Sequence, residues 1–313
     1  MNVCCIGAAN IDIKIDCFQP LMLDESLSSN IELGIGGVGT NIAYNLAMLK
    51  VKTKLVTALS NDIFGQYIRN RLTLNFLDLS DAQTCDHNSS FYVDLNSCVQ
   101  NYGFNDMKII NDLCSEKILD VLNKIAHYNY VCIDLNLPES ILQLVFQNCY
   151  IPIVCDATSV LKSKKVLPYL NKVDILKCNL KEAMHLSSCY EREQSDKDLV
   201  HVARILSLSG AQQVYITLGK EGALFYDRSE CIKISPKIKY DKHFLGAGDA
   251  FTAAVIYGHI RKWSKKDILI YASYLAMDVV NNDSIHIVDS HLSKINNSMN
   301  QRSFEELFEI KIL

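Results

Sequence analysis

The sequence lacks every segment that would place the protein in a membrane or on a nucleic acid. No apolar run reaches the roughly 20 residues needed to cross a bilayer. The net charge is -4, so there is no basic excess of the kind that binds nucleic acids or acidic lipid surfaces. The N-terminus has no basic region followed by an apolar stretch, as a signal peptide would. We therefore expect a cytoplasmic protein whose partners are small molecules.

Motifs for metal binding and for disulfide frameworks are also missing. The 12 cysteines form no Cys-x-x-Cys pair, and the chain has no His-Glu-x-x-His sequence. Most of the cysteines lie inside apolar runs, as Cys4, Cys5, Cys132 and Cys155 do. We interpret them as reduced, buried side chains rather than zinc ligands or disulfide partners.

What the sequence does contain is a regular alternation of strand-like and helix-like segments. Apolar runs of strand length occur at 3–8, 54–59, 130–135, 151–156, 173–179 and 213–219. Segments with apolar residues at helical spacing lie between them, for example at 41–49 and 64–74. Strands separated by helices form a parallel sheet with helices on both faces, so the pattern predicts an α/β fold.

Two regions depart from this alternation. Residues 10–18 with 29–34, and residues 89–97, alternate apolar and polar side chains with a period of two. Such alternation is typical of a small sheet with one face in water. We predict one domain spanning 1–313, with a β-sheet lid formed by about 10–34 and 87–103.

A glycine cluster follows the first part of this lid. Gly34, Gly36 and Gly39 match G-x-G-x-x-G, the dinucleotide-binding fingerprint, but they come well after the first strand instead of in its turn. Glycines also remove side chains where a backbone approaches a ligand or a hinge. Asn41 then offers its amide to such a ligand. An NAD-dependent oxidoreductase is the most distant alternative.

A second glycine-rich turn, at 245–258, opens an apolar helix and carries Asp249 in its first turn. Backbone amides at a helix N-terminus form an anion cradle. A carboxylate beside that cradle suits a base that takes a proton from a hydroxyl attacking a phosphoryl group. An acidic residue that complements the helix dipole is the alternative, and the turn alone does not decide between them.

Taken together, the motifs resemble the ribokinase-like (PfkB) family of carbohydrate and nucleoside kinases. They are GGVGTN at 36–41, NLKE at 179–182, ITLGKEGALFY at 216–226 and GAGDAF at 246–251. Within that family the chain is similar to pseudouridine kinases from about residue 3 to about residue 280. The resemblance implies a mainly parallel central sheet with a β lid. It also implies transfer of the ATP γ-phosphoryl group to the 5′-hydroxyl of pseudouridine.

The resemblance assigns roles to particular residues. Asp249 corresponds to the catalytic base, and the anion hole consists of Gly246, Ala247 and Gly248. The residues that correspond to sugar ligands are Asn10, Asp12, Gly36, Gly37 and Asn41. Those that correspond to ATP ligands are Asn179, Thr217, Gly219, Gly222, Ala247 and Gly248. Candidates for recognition of the uracil base are Asp106, Asn136 and Lys162.

Ions complete the implied site. Asn179 and Glu182 correspond to the pair that orders Mg²⁺ and its waters, although the same spacing also predicts a capping box at a helix start. Many members bind K⁺ through an acidic or amide side chain six residues before the base. In this chain that residue is His243, whose imidazole suits an alkali ion poorly, so we expect weak potassium activation or none.

Two further function classes remain open at this point. One is a sibling kinase that acts on ribose, adenosine or another nucleoside. The other is a nucleoside-binding protein of the same fold without catalysis. Lids in this family often pair across a dimer, so we also expect a homodimer through the lid.

Overall fold

The computed structural model describes residues 1–97, 99–189, 195–238, 245–282, 284–287 and 305–313. Within these ranges the strands are β1 (Asn2–Ile6), β2 (Asn10–Cys17), β3 (Ser29–Gly36), β4 (Lys52–Val56), β5 (Ala58–Ser60), β6 (Leu77–Asp78), β7 (Gln83–Cys85), β8 (Phe91–Asn96), β9 (Asn101–Asp106), β10 (Tyr130–Asp134), β11 (Ile153–Asp156), β12 (Ile175–Asn179), β13 (Gln213–Thr217), β14 (Ala223–Tyr226), β15 (Cys231–Pro236) and β16 (Phe308–Ile312). The α-helices are α1 (Val38–Met48), α2 (Ile63–Arg71), α3 (Ser115–Lys124), α4 (Glu139–Asn148), α5 (Val160–Ser163), α6 (Leu180–Ser187), α7 (Asp196–Leu208), α8 (Ala247–Ile260) and α9 (Lys265–Asn281). His243, on which the potassium expectation depends, lies outside the described residues.

The central sheet has ten strands in the order β16-β15-β14-β13-β12-β11-β10-β1-β4-β6. The seven strands β13, β12, β11, β10, β1, β4 and β6 run parallel to one another. The strands β14, β15 and β16 continue the sheet as antiparallel neighbours. The parallel strands are nearly continuous apolar runs because helices cover both of their faces. This confirms the predicted α/β fold with helices on both sides of a mainly parallel sheet.

Adjacent residues of a strand supply two separate cores. Cys5 and its register partner Cys132 pack on one face, in a core shared with α1, α8 and α9. Cys4 and Val131, one residue earlier in the same strands, pack on the other face with α3, α4, α6 and α7. The alternation follows from the pleat, which points successive side chains to opposite faces.

One predicted strand is divided in two. The apolar run at 54–59 belongs to β4 and β5, which are separated at Thr57. The carbonyl oxygen of Thr57 accepts a hydrogen bond from the N–H of Gln83, and β5 then pairs with β7 in a sheet of two strands. Periodicity alone does not locate such a break, because both parts are buried.

A small sheet with the order β3-β2-β8-β9 stands apart from the central one. Its strands β2, β3 and β8 match the segments predicted from their period of two. The edge strand β9 was not predicted. Its residues are exposed along their whole length, and the alternation in NYGFND is limited to Tyr102 and Phe104, too few positions to predict a strand. The small sheet therefore has four strands where the sequence indicated three.

The strand β16 was not predicted either. It pairs antiparallel with β15 over five residues, from Ile232 with Ile312 to Pro236 with Phe308. Phe308 is only 3% exposed and joins the core that contains α8 and α9. In the described ranges, none of the helices is both long and apolar enough to span a membrane.

Candidate active site

Neighbouring parallel strands of the central sheet end on polar residues. Asp134 ends β10, Asp156 ends β11, Asn179 ends β12 and Thr217 ends β13. Because the carboxyl ends of parallel strands share one edge of the sheet, these side chains gather at one rim. Helix α8 begins at the same rim, where the hydroxyl of Thr252 donates to Asp156 Oδ2 at 2.9 Å.

The contacts of Asp134 explain why Gly39, the last glycine of the G-x-G-x-x-G match, is a glycine. This fully buried carboxylate accepts the backbone N–H groups of Ala8 at 2.9 Å, Gly39 at 2.7 Å and Asn136 at 2.8 Å. A Cβ atom at Gly7 would overlap Asp134 Oδ2 and lie 2.9 Å from the Cα of Gly39. Gly39 is thus required for a close crossing of two backbones over a buried carboxylate. That role is packing, rather than contact with a pyrophosphate.

Gly36 and Gly37 lie where β3 leads into α1. A Cβ atom at Gly36 would overlap the carboxylate of Asp12, so this glycine leaves room for that side chain. Gly37 has φ of 98°, and its Cβ would overlap the carbonyl oxygen of Ala8. A side chain at either position would displace the neighbouring groups.

Asn10 and Asp12 are buried at the start of β2, with exposed fractions of 1% and 7%. The amide Nδ2 of Asn10 donates to Asp12 Oδ1, whereas Oδ1 of Asn10 is buried without a hydrogen-bond partner among the described residues. Burial raises the pKa of Asp12 to about 7. An unpaired buried acceptor is costly, so this pair is suited to receive hydroxyl groups from a bound molecule.

Asp249 lies in the first turn of α8 and is contacted by Asn41 from α1. The amide Nδ2 of Asn41 donates to Asp249 Oδ2 at 2.8 Å. Gly246, with φ of 84°, is the N-cap residue of α8, so Ala247 and Gly248 open the helix directly before Asp249. Burial, followed by the negative charge of Asp156, raises the pKa of Asp249 to about 8. A carboxylate with such a pKa is well matched to accept a proton near neutral pH.

Sequence reasoning missed Lys177, a buried cation at the same rim. Its ammonium group lies 3.1 Å from Asp156 Oδ2, and both side chains are less than a tenth exposed. A Cβ atom at Gly248 would lie 2.8 Å from this ammonium group, so the charge adjoins the first turn of α8. Burial would lower the pKa of Lys177, but the nearby carboxylates of Asp156, Glu182 and Asp249 raise it instead. A lysine inside the otherwise apolar run VDILKCN was the available signal.

Asn179 and Glu182 form the capping box that their spacing predicts. Glu182 accepts from the backbone N–H and the side-chain amide of Asn179, both at 2.7 Å, and its own N–H donates to Asn179 Oδ1 at 2.9 Å. Glu182 is buried, with 3% exposed. Among the residues that the structure describes, no group of three or more His, Cys, Asp or Glu side chains is placed to hold a metal ion.

A cavity of about 320 Å³ opens beside Lys177. Its lining includes all the residues predicted to bind ATP, namely Asn179, Thr217, Gly219, Gly222, Ala247 and Gly248. The apolar side chains of the lining are those of Ile238, Phe251, Ala276, Met277, Val280 and Phe308. The structure therefore brings the predicted ATP residues together in one cavity. It adds Phe308, from the unpredicted strand β16, to the wall.

The three candidates for base recognition are not all together. Lys162, on α5, donates to Asn136 Oδ1 at 2.5 Å, and burial lowers the pKa of the lysine. Asp106 instead ends the edge strand β9, where it is exposed and pairs with Lys108 at 3.3 Å. Lys162 is thus a partly buried side chain with a specific partner rather than a solvated helix lysine.

Comparison with known proteins places this site in a family. The profile of the pfkB family of carbohydrate kinases matches residues 1–286. The chain belongs to this family. Its members are ATP-dependent kinases, so the chain is a kinase of the carbohydrate and nucleoside class. Strand β16 lies beyond the matched residues.

Individual relatives differ in substrate. Pseudouridine kinase from Escherichia coli is 30% identical over 255 residues, which cover 80% of this chain and 81% of that protein. Guanosine-inosine kinase from Exiguobacterium acetylicum is 25% identical over 294 residues, or 89% and 94% of the two chains. The structure of ribokinase from Cryptococcus neoformans in complex with ADP aligns with a TM-score of 0.77 at 17% identity, covering 94% of this chain and 99% of that one. The predicted ribokinase-like fold is confirmed.

Proposed function

We propose that the protein phosphorylates the 5′-hydroxyl of pseudouridine with ATP as the donor. The observation that carries the proposal is the position of Asp249. This buried carboxylate with a raised pKa lies in the first turn of α8, next to Gly248, which lines a cavity of about 320 Å³. The similarity to pseudouridine kinase from Escherichia coli supports the choice of nucleoside. Both substrates are metabolites of the cytoplasm, where we place the protein.

In the proposed reaction, Asp249 accepts the proton of the 5′-hydroxyl. The oxygen then attacks the γ-phosphorus atom of ATP, and the bond from that phosphorus to the bridging oxygen breaks and releases ADP. Gly246, Ala247 and Gly248 form the anion hole, since the first N–H groups of a helix have no partner within it. Lys177, next to Gly248, adds positive charge where the phosphoryl group transfers.

Asn179 and Glu182 suit a magnesium ion held through its water molecules. Amide and carboxylate oxygens are ligands of the type that Mg²⁺ accepts. Each oxygen of Glu182 accepts one hydrogen bond in the capping box, which leaves lone pairs for water. When bound, the ion would neutralise charge on the ATP phosphates. The capping box and the metal site are therefore compatible.

The lining of the cavity offers groups for both parts of ATP. Backbone at Thr217, Gly219 and Gly222 borders the cavity and would approach the phosphates closely. The apolar side chains of the lining suit a flat purine base. We place the adenine against Phe251 and Phe308.

The nucleoside would lie between the rim and the small sheet. Asn10, Asp12 and Asn41 would bind the ribose hydroxyls, with Gly36 and Gly37 at the hinge. Lys162 and Asn136 offer a donor and an amide for the uracil ring, whose extra N–H distinguishes pseudouridine from uridine. Asp106 lies on the face of the small sheet opposite to Asp12, so we do not place it at the base. We propose that 1–313 is one kinase domain in which the small sheet serves as the lid.

A panel of acceptors tests the choice of substrate. ADP release is measured with pseudouridine, uridine, guanosine, inosine, adenosine, ribose and fructose. We expect the highest kcat/KM with pseudouridine and a much lower value with uridine, because a site built to bond the extra N–H rejects an analogue that lacks it. A higher value with guanosine or inosine would reassign the enzyme to the substrates of its second relative. No turnover with any acceptor would favour a binding protein.

The small sheet also supports a homodimer. Register partners place Leu33, Ile13, Val93 and Phe104 in one row across its four strands. Partners directly opposite share a face, and the next row of this face holds Ile31, Ile15, Leu95 and Tyr102. Leu33 is 47% exposed and Phe104 is 56% exposed, although both rows are apolar. Asp12 points to the opposite face, so a second copy would cover the apolar face without blocking the site.

Light scattering after size exclusion tests this pairing. We expect a dimer for the wild-type protein and a monomer for the double variant Leu33→Glu with Phe104→Glu, because two charges would then be buried at the interface. Glu32→Lys, on the opposite face, is the matched control and should remain dimeric. A wild-type monomer at tens of micromolar concentration would contradict the proposal.

A further inference from the structure

Residues 284–287 pack against helix α1 and against the glycine-rich turn that opens α8. The N–H of Ile287 donates to Asn45 Oδ1, on α1, at 2.9 Å. A Cβ atom at Gly246 would overlap the carbonyl oxygen of Ile285, so the segment lies directly against the turn that opens α8. Within the segment, the hydroxyl of Ser284 donates to the carbonyl oxygen of His286 at 2.7 Å and so fixes the backbone of residues 284–286.

His286 extends from this segment to the residue that contacts the proposed base. Its Nε2 atom lies 2.9 Å from Asn41 Oδ1, and its ring stacks on Tyr44 with centroids 4.0 Å apart and an angle of 29°. The other end of the same amide, Nδ2, donates to Asp249 Oδ2 at 2.8 Å. The result is a continuous chain of hydrogen bonds from His286 through Asn41 to Asp249.

The chemistry of the amide fixes the direction of this chain. An amide oxygen only accepts, so Nε2 of His286 carries a hydrogen and donates it. The ionised carboxylate of Asp249 also only accepts, so it takes the NH₂ group of Asn41 and leaves Oδ1 toward His286. With its hydrogen on Nε2, His286 stabilises this orientation, because a turned amide would place NH₂ against that N–H.

We infer that His286 is a positioning residue for phosphoryl transfer, which holds the amide of Asn41 so that Asn41 orients the carboxylate of Asp249 toward the acceptor hydroxyl. The inference rests on the proposed role of Asp249 as the base, and it does not depend on which nucleoside is the acceptor. His286 is not among the residues that line the cavity, and its hydrogen bond toward the site runs through Asn41.

Two substitutions separate the N–H donor from the aromatic ring. His286→Phe keeps a ring to stack on Tyr44 and removes the donor. His286→Gln loses the ring but places an amide N–H at the same number of bonds from Cα as Nε2. With the best acceptor of the panel, we expect His286→Phe to lower kcat by about tenfold, the usual worth of one hydrogen bond of about 1.4 kcal/mol. The KM for ATP should not change, and His286→Gln should restore kcat to within about threefold.

A structural role would produce a different result. If His286→Phe has the wild-type kcat, or if both variants lose activity equally while melting at the wild-type temperature, the inference is wrong. A measurement on the free protein needs no turnover. Nitrogen NMR of the histidine rings, assigned by the signal absent in His286→Phe, should show a neutral His286 ring protonated on Nε2 between pH 6 and 8. Protonation on Nδ1 alone would overturn the inference even for a protein that has no kinase activity.

Discussion

Asp249→Asn should lower kcat by roughly 10²- to 10⁴-fold, the usual contribution of a positioned general base. The asparagine has nearly the same shape but does not accept the proton of the hydroxyl. Binding of ATP and of the nucleoside, measured by calorimetry, should stay close to wild type, since asparagine keeps an oxygen that accepts a hydrogen bond from the 5′-hydroxyl. Asp120→Asn, on the exposed surface of α3 where Asp120 pairs with Lys124, is the matched control and should keep full activity. Near wild-type turnover of Asp249→Asn would show that another group takes the proton.

The same carboxylate predicts the pH dependence of the wild-type enzyme. Asp249 must be ionised to act as a base, and burial together with the charge of Asp156 raises its pKa to about 8 in the folded protein. The value of kcat/KM, which reports groups of the free enzyme, should therefore be full above this pH and fall as the pH drops below it. In Asp249→Asn this acid limb should be absent from the residual activity. A flat wild-type profile between pH 6 and 9 would argue against the assignment.

Lys177→Met should lower kcat by roughly 10²- to 10³-fold, the effect of removing one group that stabilises charge in the transition state. The substitution also leaves Asp156 buried without its cation, which costs about 3–5 kcal/mol of folding free energy when one partner of a buried pair is lost. Lower activity of the single variant would thus have two possible causes, loss of catalysis or loss of fold.

A double variant separates the two causes. Lys177→Met with Asp156→Asn removes both charges of the pair, so the melting temperature should return toward the wild-type value while kcat stays low. Recovery of kcat along with stability would show that Lys177 serves only to compensate Asp156. The charge of Lys177 also favours ionisation of Asp249, so its loss should move the acid limb of Lys177→Met to higher pH.

The sequence predicted what depends on local patterns. Strand runs, helical periodicity and the spacing of Asn179 and Glu182 were sufficient for the α/β fold and for the capping box at α6. The GAGD turn pointed to Asp249, because a glycine-rich turn before an apolar helix can be found in the amino-acid sequence alone. These signals are carried by residues that are close together in the chain.

What the sequence did not predict depends on partners that are distant in the chain. Lys177 is an ordinary lysine until Asp156 and Gly248 are brought beside it by neighbouring strands and by α8. The contact of His286 with Asn41 joins residues near the two ends of the family domain. In β9 only Tyr102 and Phe104 alternate with polar or small residues, and in β16 the sequence FEIKI alternates over just five residues. Runs this short do not distinguish a strand from a loop until the partner strand is known.

Strand β16 has a consequence for the order in which the protein is made. A ribosome releases chain segments from the N-terminus onward, and domains begin to fold as they emerge. Phe308 lies in the cavity wall, yet it follows Thr217, Gly248 and every other residue of that wall in the chain. During synthesis the wall of the cavity therefore stays incomplete after the turn at Gly248 has emerged. ATP, which stabilises only the form that binds it, adds its full stabilisation after translation has passed this strand.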